Sequence, residues 1–255
     1  VFAKKGIVPQ ANAIKCLEEF VAKYPKSGDL AKSAYRQLAT IHTANDDIEK
    51  TKDALDRLCK YFPDSDEARM AWPMLAKSLV EFAQTVPDEK RKSQILDESS
   101  RIYADMIRAT KSNYKAHDYL LAGESLIEAK NWTLAEEAFD RVVDIASKTN
   151  NLTTLIARGT IGKIEVKSAK GDYAGALVEI DSFLENKRFA SMQIGTNVCI
   201  MASQIAKKYG DSEGYKTANK ALEQLARYWK SAPVWQNDYV KLMSADMNLA
   251  QADEN

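Results

Sequence analysis

The sequence predicts an all-α chain, an α-solenoid of about six antiparallel helix pairs. Three observations predict it. Breakers are scarce, since 10 Gly and 6 Pro in 255 residues leave too few turns for a sandwich, barrel or Rossmann sheet. No run of alternating β-branched residues reads as a strand. Finally, stretches of the chain copy one another. Phe20-Val21-Ala22-Lys23-Tyr24-Pro25-Lys26-Ser27 aligns with Leu58-Cys59-Lys60-Tyr61-Phe62-Pro63-Asp64-Ser65 at an offset of 38. After one deletion, Ala31, Ala34, Tyr35, Leu38 and Ala39 align with Ala68, Ala71, Trp72, Leu75 and Ala76. Further on, Lys130-Asn131-Trp132 with Ala135 matches Gly171-Asp172-Tyr173 with Ala176, an offset of 41.

Apolar residues recurring at i, i+3, i+4 and i+7 place the helices between these turns. The first, over 9–24, opens at Pro9, whose fixed φ suits a first helical turn, and closes before Pro25. The second covers 28–44. The third, 47–62, starts at Asp47-Ile48 and stops before Pro63. Asp66 opens 66–84, which ends ahead of Pro87, and Asp88 opens 88–109. Asn113, Asn131, Asn151 and Asp172 open 113–129, 131–148, 151–170 and 172–186 in turn. The uncharged stretch Phe189–Ala206 carries a helix over 190–209. Its glutamines, Thr196, Asn197 and serines are too polar for a membrane span, so a buried solenoid helix is expected. Asp211 and Pro233 open 211–230 and 233–250. One domain over 1–255 is expected, clearest over 9–84 and 113–186 and divergent over 85–112 and 187–255.

The chain carries 36 basic and 36 acidic residues. Each half is balanced too, with 20 of each sign in 1–128 and 16 of each in 129–255. A basic face for phosphates is therefore missing at this level, and nucleic acid is not an expected partner. Lys90-Arg91-Lys92 is a solvated helix start. Cys16, Cys59 and Cys199 stand far apart without metal-ligand spacing, and each behaves as a small hydrophobe. The chain begins at Val1 rather than methionine, and an upstream segment holding any targeting signal is expected.

The pattern resembles the tetratricopeptide repeat. Tyr119, Ala122, Gly123, Leu126, Asn131, Trp132, Ala135, Phe139 and Val142 fall at that family's spacing. So do Tyr35, Leu38, Ala39, His42, Asp47, Ile48, Leu55, Leu58 and Pro63, with a leading half copy at Ala13, Leu17, Phe20 and Pro25. Small residues at Ala39, Ala76, Gly123 and Ala135 are expected where helices touch, and Tyr35, Trp72 and Tyr119 fill the gap to the next pair. Lys163 and Lys167 depart from the pattern, standing where the family has apolar residues. Residues 85–112 lack its turn motif.

The resemblance implies a right-handed superhelix whose concave groove, lined by the first helix of each pair, holds a protein or peptide partner without a cofactor. Its register makes Arg36, Gln37, Thr40, Met70, Lys77, His117, Leu120, Glu124 and Arg158 the groove-facing candidates, with Met70 and Leu120 as apolar anchors. The duplicated Tyr-Pro-x-Ser and Phe-Pro-x-Ser segments resemble a bacterial cell-envelope type of the repeat, such as the Tol-system coordinator and the outer-membrane assembly lipoprotein. That implies a periplasmic or outer-membrane-associated setting, with a cytoplasmic one still open.

No catalytic constellation is visible. His42 and His117, the two histidines, lie far apart; His42 holds a packing position and His117 follows a helix start. Arg158-Gly159-Thr160-Ile161-Gly162-Lys163 approximates a phosphate loop, but Ala157 replaces its first Gly, Ile164 its Ser/Thr, and no strand precedes it. Asp46-Asp47 and Asp64-Ser65-Asp66-Glu67 lack calcium-loop spacing and read as helix caps. No metal site is expected. The chain reads as a non-enzymatic scaffold. Two alternatives remain at this stage. One is a structural subunit of a cell-envelope assembly docking through its ends, where Tyr228, Trp229, Trp235 and Tyr239 gather. The remote one is a helical-toroid glycan-processing enzyme.

Overall fold

The computed structural model describes residues 10–109, 113–149, 152–190, 194–209, 212–228 and 241–245. Among them no strand occurs. The helices are α1 (Gln10–Lys23), α2 (Gly28–Ala44), α3 (Ile48–Tyr61), α4 (Asp66–Ala83), α5 (Glu89–Arg108), α6 (Ala116–Glu128), α7 (Trp132–Ser147), α8 (Thr153–Ala169), α9 (Tyr173–Glu185), the single-turn α10 (Lys187–Ala190), α11 (Ile194–Tyr209) and α12 (Ser212–Tyr228). Residues 241–245 are also helical. The chain divides into two compact units, Val1–Asn131 and Trp132–Asn255.

Local chemistry sets the helix starts. Asp47, Ser65, Asp88 and Asp172 each accept the backbone N–H three residues on, at 3.2, 3.1, 2.6 and 2.9 Å, which satisfies a donor that the helix itself leaves free. Ser65 is therefore the cap of α4, and Asp66 opens its first turn as expected. Asn113 does not open α6: the helix begins at Ala116, because the Asp118 carboxylate reaches back to accept the Lys115 N–H at 2.8 Å. The helix expected over 190–209 is described as α10 and α11.

The copied segments fold alike. Asp46, Lys130 and Gly171 adopt φ values of 58°, 57° and 81°. After each, the N–H of Asp47, Asn131 or Asp172 donates to the carbonyl five residues back at 2.9 Å. This is the Schellman closure, which satisfies a late carbonyl of the preceding helix through a left-handed residue. The Pro-containing copies agree as well. Tyr24 and Phe62 donate to the carbonyls of Phe20 and Leu58 at 2.8 and 2.9 Å.

In the first unit α2 packs on α1, α3 and α4, while α4 also packs on α3, α5 and α6. Tyr35 and Tyr119 are buried as expected, and Tyr35 stacks on Tyr61 at 6.2 Å. Trp72 is only half-buried. Polar tethers reinforce the α4–α5 contact: Ser99 Oγ donates to the Ala76 carbonyl at 2.8 Å and Tyr103 Oη to that of Pro73 at 3.3 Å. Arg69 of α4 pairs with the buried Asp118 of α6.

In the second unit α7 packs on α8, α8 on α9, and α11 on α9 and α12. The two glycines of the loop-like segment have a packing role. A Cβ on Gly162 would stand 2.3 Å from Phe139 Cζ, and one on Gly159 3.0 Å from Val142 Cγ1. Only glycine lets α8 approach α7 this closely. Lys163 and Lys167 are not misplaced core positions either. Lys163 Nζ lies 3.0 Å from Asp140 of α7 and 3.6 Å from Glu179 of α9, and Lys167 Nζ lies 2.8 Å from Glu179.

Candidate functional site

Four residues of α2, Ser33, Arg36, Gln37 and Thr40, fall at i, i+3, i+4 and i+7 and so share one face. On α4 the matching face carries Glu67, Ala71, Met74, Leu75 and Ser78. These two faces, with Ala39, Thr43, Thr51 and Leu55 beneath, line a groove cavity of about 240 Å³. Small side chains at Ala39 and Ala71 keep its floor low.

The groove's polar groups are largely committed to one another. Gln37 Nε2 donates to Ser33 Oγ at 3.3 Å, and Thr40 Oγ1 to the Arg36 carbonyl at 2.9 Å. Below them Thr43 Oγ1 donates to the Ala39 carbonyl at 2.8 Å and lies 3.3 Å from Thr51 Oγ1. Lys32 joins the helices at one end, 2.8 Å from Asp29 and 3.3 Å from Glu67. Asp29, then Glu67, hold the Lys32 ammonium above its ordinary pKa against the opposing effect of burial. The exposed Arg36 guanidinium has no side-chain partner among the described residues, and Met74 is 44% exposed. The lining holds no histidine, and its one carboxylate, Glu67, is paired with Lys32. The groove offers hydrogen-bonding groups, one guanidinium, one carboxylate and one thioether.

Of the nine residues expected from the sequence, Arg36, Gln37 and Thr40 line this groove. Lys77 is exposed on α4 and lies 3.7 Å from Glu81, outside the lining. Met70 is half-buried, its sulfur 3.3 Å from an Arg69 nitrogen. His117 is exposed on the first turn of α6, and Glu124 is half-buried on the same helix. Leu120 is 1% exposed, part of the core, and presents no anchor to a ligand. Arg158 is half-buried on α8 of the second unit. Met74, Ser33, Glu67 and Ser78 were not expected. The repeat alignment held the signal for Met74, since it pairs Gln37 with that position.

The other candidates are structural or inert. His42 is buried at 4% exposure, and its Nε2 has no hydrogen-bond partner. Cys59 is half-buried with its thiol 3.6 Å from the Ala68 carbonyl, and burial pushes its pKa up, away from a reactive thiolate. Among the described residues no group of three or more His, Cys, Asp or Glu is placed to hold a metal ion. No helix among them is long and apolar enough to cross a membrane. Trp229, Trp235 and Tyr239 lie outside the described residues.

Residues 29–65 match the tetratricopeptide repeat family. The match covers nearly all of α2, the Schellman turn at Asp46, α3 and the turn into α4. No curated protein matches the chain.

Proposed function

We propose that the chain is a non-enzymatic interaction scaffold that holds a peptide segment of a protein partner along the α2/α4 groove. The observation that carries this reading is the convergence of Arg36, Gln37 and Thr40 with the exposed Met74 on one cavity. The family match supports it, because tetratricopeptide repeats commonly mediate protein–protein interaction and the matched segment includes α2. Arg36 would meet a carbonyl or anionic group of the partner, and Met74 an apolar side chain. A bacterial cell-envelope setting belongs to the same proposal. It is supported by the duplicated Tyr24-Pro25 and Phe62-Pro63 segments, and fractionation of the native cells tests it.

The groove is tested by affinity capture from the native organism with the wild-type chain and an Arg36→Glu/Met74→Glu variant. Both positions are exposed, so the melting temperature should stay unchanged. The variant should lose a partner that the wild type retains. Recovery of the same proteins by both would remove the groove from the reading.

A further inference from the structure

A second cleft lies on a different face of α4, between α3 and α5. Two cavities, of about 580 and 570 Å³, share Lys52, Glu98 and Arg101 in their linings. Each falls within the range of roughly 300–1,000 Å³ typical of ligand pockets. The Lys52–Glu98 ion pair, 2.6 Å long, joins α3 to α5 where the two cavities meet. Beneath it the floor is apolar: Leu79 and Ile95 on one side, Trp72, Ile102 and Met106 on the other. Trp72 is the residue that the repeat pattern placed in the gap to the next helix pair. It leaves that gap partly open, and its ring lines the second cavity.

Charge around the rim selects the occupant. Lys52 and the 78% exposed Arg101 share Glu98, Asp46 holds Arg91, and Asp47 holds Lys50. The two linings together nevertheless carry six carboxylates against three cations and are net acidic. That leaves Glu49, Asp97 and Asp105, all exposed, without a cationic partner among the described residues. Asp97 and Asp105 stand two turns apart on α5, about 12 Å along its axis. An apolar trough between two helices, edged by unpaired carboxylates at helical spacing, fits an amphipathic helix with lysines or arginines flanking its apolar stripe.

We propose that the α3/α5 cleft is a second docking surface, which takes a basic amphipathic helix of a protein partner independently of the α2/α4 groove. The helix lays its apolar stripe over the half-buried Trp72, beneath which Ile102 and Met106 form the buried floor. Its cations meet Asp97 and Asp105 on one side and Glu49 on the other. Electrostatic complementarity of this kind sets which partner is accepted more than it sets raw affinity.

The test uses the full chain and two synthetic helical peptides of about four turns, one with leucines on one face and lysines on the other, one with glutamates replacing the lysines. Binding is followed by anisotropy of a label on the peptide. The lysine peptide should bind at least about ten-fold more tightly than the glutamate peptide. An Asp97→Lys/Asp105→Lys variant should lose that advantage, Asp97→Asn/Asp105→Asn should lose part of it, and Arg36→Glu in the groove should leave it intact. Equal affinity for the two peptides overturns the proposal, as does lysine-peptide binding that neither pair of α5 substitutions weakens. Loss caused by Arg36→Glu alone would place the binding in the groove and likewise overturn it.

Discussion

α4 and α8 each pack against the helices on either side of them in their own unit, and they are seated by different chemistry. α4 buries Ala68, Ala71, Leu75, Ala76, Leu79, Val80 and Ala83, an apolar surface broad enough to meet α2, α3, α5 and α6. α8 buries Ala157, Gly159, Gly162, Ile164 and Val166 but interleaves Lys163 and Lys167, which pair with α7 and α9. Where α4 relies on alanine-floored contacts and one buried ion pair to α6, α8 relies on bare backbone against Phe139 and on half-buried lysines. The turns fix the helical period, and the chemistry that closes each contact is free to vary beneath it.

The contrast gives ordered predictions. The largest effect belongs to α4. Arg69→Met leaves the Asp118 carboxylate, 3% exposed, with only the hydrogen bond from the Lys115 N–H. Urea denaturation should show a loss of about 3 kcal/mol, and an unchanged midpoint would mean that α4 needs no ion pair to seat. Next comes α8, where Gly162→Ala drives a methyl into the Phe139 ring and should cost about 2 kcal/mol. Adding Phe139→Leu should restore part of that loss. If the single substitution proves neutral, the glycine contact does not seat α8.

A smaller pair of effects compares turns. Lys130→Gly should stabilise the chain by about 1 kcal/mol and Gly171→Ala should destabilise it by about as much. Both positions are left-handed, and a Cβ on Gly171 would meet nothing within 4 Å, so the backbone alone decides the sign. Thermal melts of the two variants would expose a wrong reading if both moved in the same direction.

The last prediction concerns acid. Burial pushes the Glu179 carboxyl up, but Lys167 and Lys163 outweigh it, so Glu179 titrates below its ordinary value of 4.5. A depressed folded pKa means that its stabilisation is present above 4.5 and disappears as pH falls through the lower folded value. Glu179→Gln should therefore show less loss of melting temperature between neutral pH and pH 3 than the wild type. Parallel curves would mean that the lysines of α8 are merely solvated.

Helix extents were legible because their causes are local. Asp47, Asp88, Asp172, Pro25 and Pro63 act within a few residues of where they stand, and α2 spans the expected 28–44. Asn113 misled because the decisive partner, Asp118, sits inside the helix rather than before it. Closure of α8 was not legible, since Asp140 and Glu179 come from neighbouring helices and nothing in the spacing of Lys163 and Lys167 announces them. The groove expected from the register meets a cavity on α2 and not beyond it. Three of its α2 residues line the cavity, whereas on α4 the exposed methionine is Met74 rather than Met70. Leu120 shows the same limit: an apolar residue at a first-helix position serves the core as readily as a ligand.

The recurring closure at Asp46, Lys130 and Gly171 carries a consequence for how such a chain grows. Each closure is self-sufficient, written in a handful of consecutive amides and carbonyls that ask nothing of the rest of the molecule. A gene can thus gain or lose a helix without inventing a new way to end the one before it, and selection is left to work on the faces those helices expose.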